Sequence, residues 1–249
     1  MSFLKLIPLY YLLSFTFSLH IVLGQSTSSP DPLYHFCFNS QIYPVDGSYG
    51  KNLNNLISYL SFNVPPTGFG LGSVGRQAET RVNGLALCRG DVKSSDCKTC
   101  VVKATDEIRQ RCPNDKGAII WYDNCLFKYS NEKFFGQIDN ANKFYLYNIN
   151  NVTDSVSFNK KTKELITSLS TKAVVSPVLF ATGEMELEGG SEKLYGLVQC
   201  TRDLSSSDCK KCLDDAVSEL PSCCDGKRGG RVIGGSCNLR YELYPFVNA

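Results

Sequence analysis

The stretch Ser94-Ser95-Asp96-Cys97-Lys98-Thr99-Cys100 returns, 112 residues on, as Ser206-Ser207-Asp208-Cys209-Lys210-Lys211-Cys212. The residues ahead of it return too: Val82-Asn83-Gly84-Leu85-Ala86-Leu87-Cys88 is answered by Leu194-Tyr195-Gly196-Leu197-Val198-Gln199-Cys200. Working outward, Cys88, Cys97, Cys100, Cys112 and Cys125 are separated by 8, 2, 11 and 12 residues, and Cys200, Cys209, Cys212, Cys224 and Cys237 repeat all four gaps. A fixed offset through so many positions marks a duplicated unit, with a boundary near residue 140.

Each copy carries the same local signals. Leu53, Leu56, Ile57 and Leu60 fall at i, i+3, i+4 and i+7, the stripe of an amphipathic helix, and Leu165, Ile166 and Leu169 answer them. Ser95/Asp96 are N-cap types and predict the start of a second helix, which turns Cys97, Cys100, Val101, Ala104 and Ile108 to one face. Its counterpart runs from Ser207/Asp208 through Cys209, Cys212, Leu213, Ala216, Val217 and Leu220, with Pro221 as its stop. The last segment alternates with period two: Cys237, Leu239, Tyr241 and Leu243 on one side, Asn238, Arg240, Glu242 and Tyr244 on the other. That pattern predicts an antiparallel strand with one dry face. The expected fold is α+β, with two tandem disulfide-stapled domains, each of two helices packed on an antiparallel sheet.

The chain has 249 residues, 26 Lys and Arg against 24 Asp and Glu, and 12 cysteines. So even a balance gives no basic field for nucleic acid or an anionic membrane. Residues 1–24 read as a secretory signal: Lys5, an apolar stretch from Leu6 continuing to Leu23, and Val22 and Gly24 in a cleavage frame. A signal anchor is the alternative, against which Ser14, Ser18 and His20 interrupt the apolar run. Residues 25–32 are a Ser/Pro-rich linker, and no later run has membrane length or the form of a lipid-anchor tail. The expected product is secreted, without stable membrane insertion, in a compartment where cysteines pair. Asn151-Val152-Thr153 is then a glycosylation acceptor.

A Cys-x-x-Cys pair has three common meanings: zinc ligation, redox catalysis, or structural half-cystines. Secretion and the further cysteines at fixed spacing favour the third over zinc, and antiparallel strands do not suit a thioredoxin-like site. The C-x8-C-x2-C spacing with downstream cysteines, twice in one chain, resembles the plant cysteine-rich repeat secretory proteins, built of ginkbilobin-like stress-antifungal domains. The resemblance covers nearly the whole chain after the leader. It implies domains at 33–135 and 144–246 joined by 136–143, and the pairings Cys37 with Cys112, Cys88 with Cys97, Cys100 with Cys125, Cys200 with Cys209, and Cys212 with Cys237. The second copy departs from the pattern. It has no cysteine around Leu146 or Tyr147 to match Cys37, while Cys223 stands beside Cys224. A vicinal Cys223/Cys224 bond is expected there, with two free thiols or an intermolecular bond as the other options.

Enzyme chemistry finds little support. His35 is the one histidine left after the leader, and a ring beside a disulfide describes it better than a catalytic base. Glu184, Glu186 and Glu188 read as the solvated face of a strand rather than a glycosidase pair, and Trp121, Tyr122, Phe127 and Tyr129 as core. No cofactor or metal motif is present. The resemblance instead implies a mannose site: an Asn just after the first cysteine, an Arg seven past the penultimate conserved cysteine and a Glu five past the last. In the first copy Phe38, Ile119 and Ser130 hold those places. In the second they fall to Asn148, Arg231 and Glu242, where the Gly229-Gly230 and Gly234-Gly235 pairs suit a tight hairpin bringing Arg231 near Glu242. The competing reading is a surface Arg/Glu pair of little consequence. Two functions therefore stand open: lectin-like binding of mannose-type glycans in defence, or a protein interaction module for a cell-surface partner. Related receptor-like kinases carry such tandem domains, and this chain is expected to end without their membrane span or kinase.

Overall fold

Each cysteine-spaced repeat builds one five-stranded sheet with helices on one of its faces. A computed structural model describes residues 31–38, 41–187 and 192–247; the leader expected at 1–24, the linker as far as residue 30, and Glu188 lie outside the described residues. In the first repeat, strands β1 (Tyr34–Cys37), β2 (Phe69–Val74), β3 (Val82–Cys88), β4 (Gly117–Trp121) and β5 (Cys125–Ser130) order as β1-β4-β5-β3-β2. In the second, β6 (Lys143–Tyr147), β7 (Phe180–Glu186), β8 (Lys193–Cys200), β9 (Gly229–Gly234) and β10 (Cys237–Glu242) order as β6-β9-β10-β8-β7. Among the described residues every pairing of these strands is antiparallel.

The apolar stripes become helices where the periodicity puts them. Helix α1 (Ser48–Asn63) buries Leu53, Leu56 and Leu60, and α3 (Ser155–Val175) buries Leu165, Ile166 and Leu169. Helix α2 (Ser94–Arg111) begins earlier than its sequence suggests: Lys93 occupies the N-cap without a side-chain cap bond, and Ser95 and Asp96 lie in the first turn. Its counterpart α4 (Ser206–Ser218) is capped by Ser205, whose hydroxyl accepts from the Asp208 N–H at 3.1 Å. Pro221 does not simply end that helix. It sits in the first turn of a short helix α5 (Leu220–Cys223), where its missing N–H costs no hydrogen bond.

All five pairings implied by the resemblance are formed, and Cys223 is bonded to Cys224. Neither Cys-x-x-Cys closes on itself, since Cys97 joins Cys88 and Cys100 joins Cys125. Each of the five ties a helix or the segment after it to a strand, whereas the Cys223–Cys224 bond closes within the end of α5. The register also identifies the residue that replaced the missing cysteine: Cys37 faces Ala118, and Tyr147 faces Gly230, the repeat equivalent of Ala118.

The face that the helices leave bare is not solvated, which corrects the expectation of one dry face per strand. The helix-free faces of the two repeats share an apolar cluster of Leu85, Leu87, Ile119, Trp121, Leu126 and Ile233, with Phe36, Phe38, Phe69, Phe144 and Leu146 packed against it. The Trp121 indole meets Phe144 edge-on at 5.2 Å and donates to the Gly234 carbonyl at 3.1 Å, and the Gln199 amide donates to the Cys88 carbonyl at 3.1 Å. A Cβ on Gly90 would collide with the Phe180 ring of the other repeat, so that crossing needs glycine. Fully burying a Leu or Ile contributes about 1.5–3 kcal/mol, against roughly 0–1 kcal/mol for an exposed ion pair. The apolar seam is therefore what joins the repeats, and the described residues from Pro32 onward make one compact unit.

Charged pairs are sealed into this seam as well. Lys128 of β5 meets Asp139 at 2.6 Å, with both side chains under a tenth exposed. The Asp139 carboxylate also accepts from the Ala141 and Asn142 backbones and the Asn142 amide, fixing the turn into β6, and its own N–H donates to Ser236.

Candidate functional site

The register brings the three residues singled out from the sequence onto one face of the second sheet. Glu242 faces Gly229 across β10 and β9, and the Asn148 N–H, just past β6, donates to the Gly229 carbonyl at 2.9 Å. Asn148, Gly229 and Glu242 therefore form one row across three neighbouring chain segments. The next row on that face is Leu146, Arg231 and Arg240. Asn148 is also the residue after Tyr147, and so matches Phe38 after Cys37.

Glycine at 229 is a requirement of this arrangement. A Cβ there would collide with the Glu242 carboxylate Oε2, so the Glu242 side chain lies over Gly229 toward Asn148. Glu242 Oε1 accepts from Arg240 Nε at 3.0 Å, while no hydrogen bond to Oε2 occurs among the described residues. Asn148 Oδ1 accepts from the Asn150 N–H at 2.9 Å in a local turn, which leaves its amide NH2 to donate elsewhere.

Arg231 is not where a simple Arg/Glu pair would put it. Its cross-strand partner is Arg240, and its Nη1 donates to Asp123 Oδ1 at 2.6 Å. Asp123 lies in the turn between β4 and β5, in the other repeat. The same Oδ1 is 3.4 Å from Arg240 Nη1, and Oδ2 accepts from Arg89 Nη1 at 2.9 Å. Burial works against ionising Asp123, but the Arg231, Arg240 and Arg89 guanidinium groups outweigh it and hold its carboxyl below the ordinary range. The Arg240 guanidinium stacks on the Phe246 ring at 4.0 Å and donates to the Tyr244 hydroxyl. The Arg231 and Glu242 side chains are only 17% and 9% exposed. These are not loose surface charges, which removes the reading of an idle surface pair. A cavity of about 60 Å³ opens beside them between the sheets, lined by Trp121, Asp123, Arg231, Asn238 and Arg240.

The first repeat fills the equivalent place with apolar matter. Phe38 packs over Gly117, and Ile119 and Ser130 are buried. His35 is half-buried near the Cys37–Cys112 sulfurs, where burial pushes its imidazole below the ordinary range. Those sulfurs are bonded to each other and so are not thiolate ligands. Glu184 and Glu186 are exposed on β7, and Trp121, Tyr122, Phe127 and Tyr129 are buried, as their spacing predicts. Asn151 is exposed, three residues beyond Asn148.

Sequence reasoning missed Asp123, Arg89 and Arg240. A partial signal for Arg240 exists: it repeats Lys128, a cation kept on an otherwise apolar face. Asp123 leaves no such mark, because Gly235 stands at its repeat position and two of its three arginine partners, Arg231 and Arg240, belong to the other copy.

Comparison with known proteins agrees with this organisation. The model of the salt stress response/antifungal family matches residues 36–132 and again 146–244. An antimicrobial ginkbilobin-2-like protein of Castanea crenata is 59% identical over 98% of this chain and 98% of its own length. Cysteine-rich repeat secretory protein 38 of Arabidopsis thaliana is 56% identical over 92% of this chain and 91% of its own. Among solved structures, the tandem DUF26 ectodomain of the A. thaliana cysteine-rich receptor-like protein PDLP8 superposes with a TM-score of 0.77 at 25% identity, covering 87% of this chain and all of that one. The corresponding ectodomain of PDLP5 gives 0.71 at 28% identity, covering 86% and 100%. Among the described residues no helix is long and apolar enough to cross a membrane.

Proposed function

Because the chain belongs to the salt stress response/antifungal family of cysteine-rich repeat secretory proteins, we propose that it is a non-catalytic plant defence or stress protein that binds mannose-type glycans through Asn148, Arg231 and Glu242. Its place is extracellular: relatives are named as secretory, and six disulfides belong to an oxidising compartment. In this reading residues 1–24 are a signal peptide, 25–32 a linker, 33–135 and 144–246 the two domains, and 136–143 their connection.

The observation that carries the proposal is the row of Asn148, Gly229 and Glu242 with Arg231 in the adjoining row, all on one face. Sugar hydroxyls both donate and accept. A carboxylate oxygen at Glu242 accepts, the Asn148 amide and the Arg231 guanidinium donate, and together they suit the vicinal hydroxyls of a pyranose. Hydrogen bonds to charged groups are each worth roughly 1.5–3 kcal/mol, so a site of three residues binds weakly as a monosaccharide site and gains from multivalent glycan. The first repeat, with Phe38 and Ile119 in the same places, offers an incoming sugar no such donors.

Retention on immobilised mannan tests this. Wild type is retained and eluted by free mannose, whereas Arg231→Ala and Glu242→Ala each reduce affinity about tenfold or more. Equal retention of all three would sink the site and leave a protein interaction module as the reading. A glycan on Asn151, if attached, lies close enough to Asn148 to crowd the row, so the comparison uses enzymatically deglycosylated protein.

A further inference from the structure

We infer that the glycan surface is composite, with Asp123 of the first repeat as the positioning residue that sets Arg231 for the sugar. The inference rests on the reading of Asn148, Arg231 and Glu242 as glycan contacts and adds a fourth participant from the other half of the chain.

Arg231 and Arg240 are directly opposed on neighbouring strands, and like charges in that position repel. Burial, and after it the Arg240 charge, push the Arg231 guanidinium below its ordinary range. Asp123 compensates both: its Oδ1 reaches Arg231 at 2.6 Å and Arg240 at 3.4 Å. Its own position is fixed from behind, because Oδ2 is held by Arg89, whose Nε and Nη2 are engaged by Asp91 at 2.6 and 2.9 Å. Arg231 spends one nitrogen on this contact. Its Nε and Nη2 make no hydrogen bond to the described residues, and these are the donors a sugar hydroxyl would meet.

Removing Asp123 leaves Glu242, in the adjoining row, as the carboxylate whose charge acts on Arg231. A freed Arg231 turns to it and takes up the acceptor that the sugar needs. Asp123 thus keeps the donor and the acceptor apart. The arrangement also runs one way only: Gly235 occupies the repeat position of Asp123, so the equivalent turn of the second repeat has no carboxylate to return to the first, where Ile119 stands in place of Arg231.

The test is calorimetric or NMR titration with methyl α-mannoside, using the full secreted chain and the variants Asp123→Ala, Asp123→Asn and Asp123→Glu, each checked for native near-UV dichroism. The expected result is a loss of about tenfold in affinity for the Ala and Asn variants, with much of it restored by Glu. The Asn variant keeps the shape of the turn should Ala fail to fold, and rescue by Glu separates positioning from mere structural support. If the Ala or Asn variant binds as tightly as wild type, or more tightly, Asp123 is idle or a competitor and the inference fails while the site stands. Absence of binding by folded wild type removes the site itself and the inference with it.

Discussion

Replacing Asp139 with alanine lowers the free energy of unfolding by about 3–5 kcal/mol, the cost of leaving a buried charge without its partner. Lys128 and Asp139 are each under a tenth exposed and lie in the seam between the sheets. Without the carboxylate, the Lys128 ammonium keeps only the Phe134 ring, 4.4 Å away, and the turn into β6 loses the acceptor for Ala141 and Asn142. Replacing both partners together, Lys128→Met with Asp139→Leu, costs much less, because the desolvated charge is gone along with its mate. Denaturant unfolding of the single and double variants measures the difference. A loss below about 1 kcal/mol for Asp139→Ala, the level of an exposed pair, would mean that Lys128 reaches water. The pH dependence has a definite sign. Burial works against ionisation of Asp139, but Lys128 and Asn142 hold its carboxyl below the ordinary value of 3.8. The stability it supplies is therefore complete above that value and is lost as pH falls through the lower folded value.

Comparable in size is the loss expected from opening the Cys37–Cys112 bond by Cys37→Ser with Cys112→Ser. That bond spans 75 residues of sequence, against 9 for Cys88–Cys97. Chain-entropy reasoning assigns about 4–5 kcal/mol to the long loop and about 3 kcal/mol to the short one. Thermal or denaturant unfolding of the two double variants under oxidising conditions should rank them in that order. Equal effects would mean that the unfolded chain is already compact around β1. The second repeat lives without such a bond: Tyr147 stands where the cysteine would be, and Cys224 is closed by its neighbour Cys223. Its β6 is held to α4 and α5 by the bonds of Lys143 and Tyr145 to Glu219.

What the sequence could disclose followed from local periodicity and from duplication. Leu53, Leu56 and Leu60, or Cys209, Cys212 and Leu213, report a helix face because the neighbours that bury them lie within the same repeat. Arg240 and Glu242 mislead for the opposite reason. Alternation separates the two faces of β10 but does not say what covers the polar one, and here the other repeat does. Arg231 is legible only in part: the glycine-flanked hairpin puts it in the row adjoining Glu242, but the register opposes it directly to Arg240, and its carboxylate partner comes from the turn after Trp121. The start of α2 at Ser94 rather than after Ser95/Asp96 is a smaller miss, made because its N-cap, Lys93, supplies no side-chain bond. Asn148 was legible only through the repeat, and the Tyr147–Gly230 register gives it the place that the missing cysteine had left unanchored.

The most direct test of the central claim is residue-resolved NMR of isotope-labelled protein titrated with methyl α-mannoside. The account predicts saturable shifts concentrated on Asn148, Gly229, Arg231 and Glu242, with Asp123 of the first repeat moving in step and the region around Phe38, Ile119 and Ser130 unmoved. Shifts confined to other surfaces, or none at millimolar sugar with the fold intact, would contradict it.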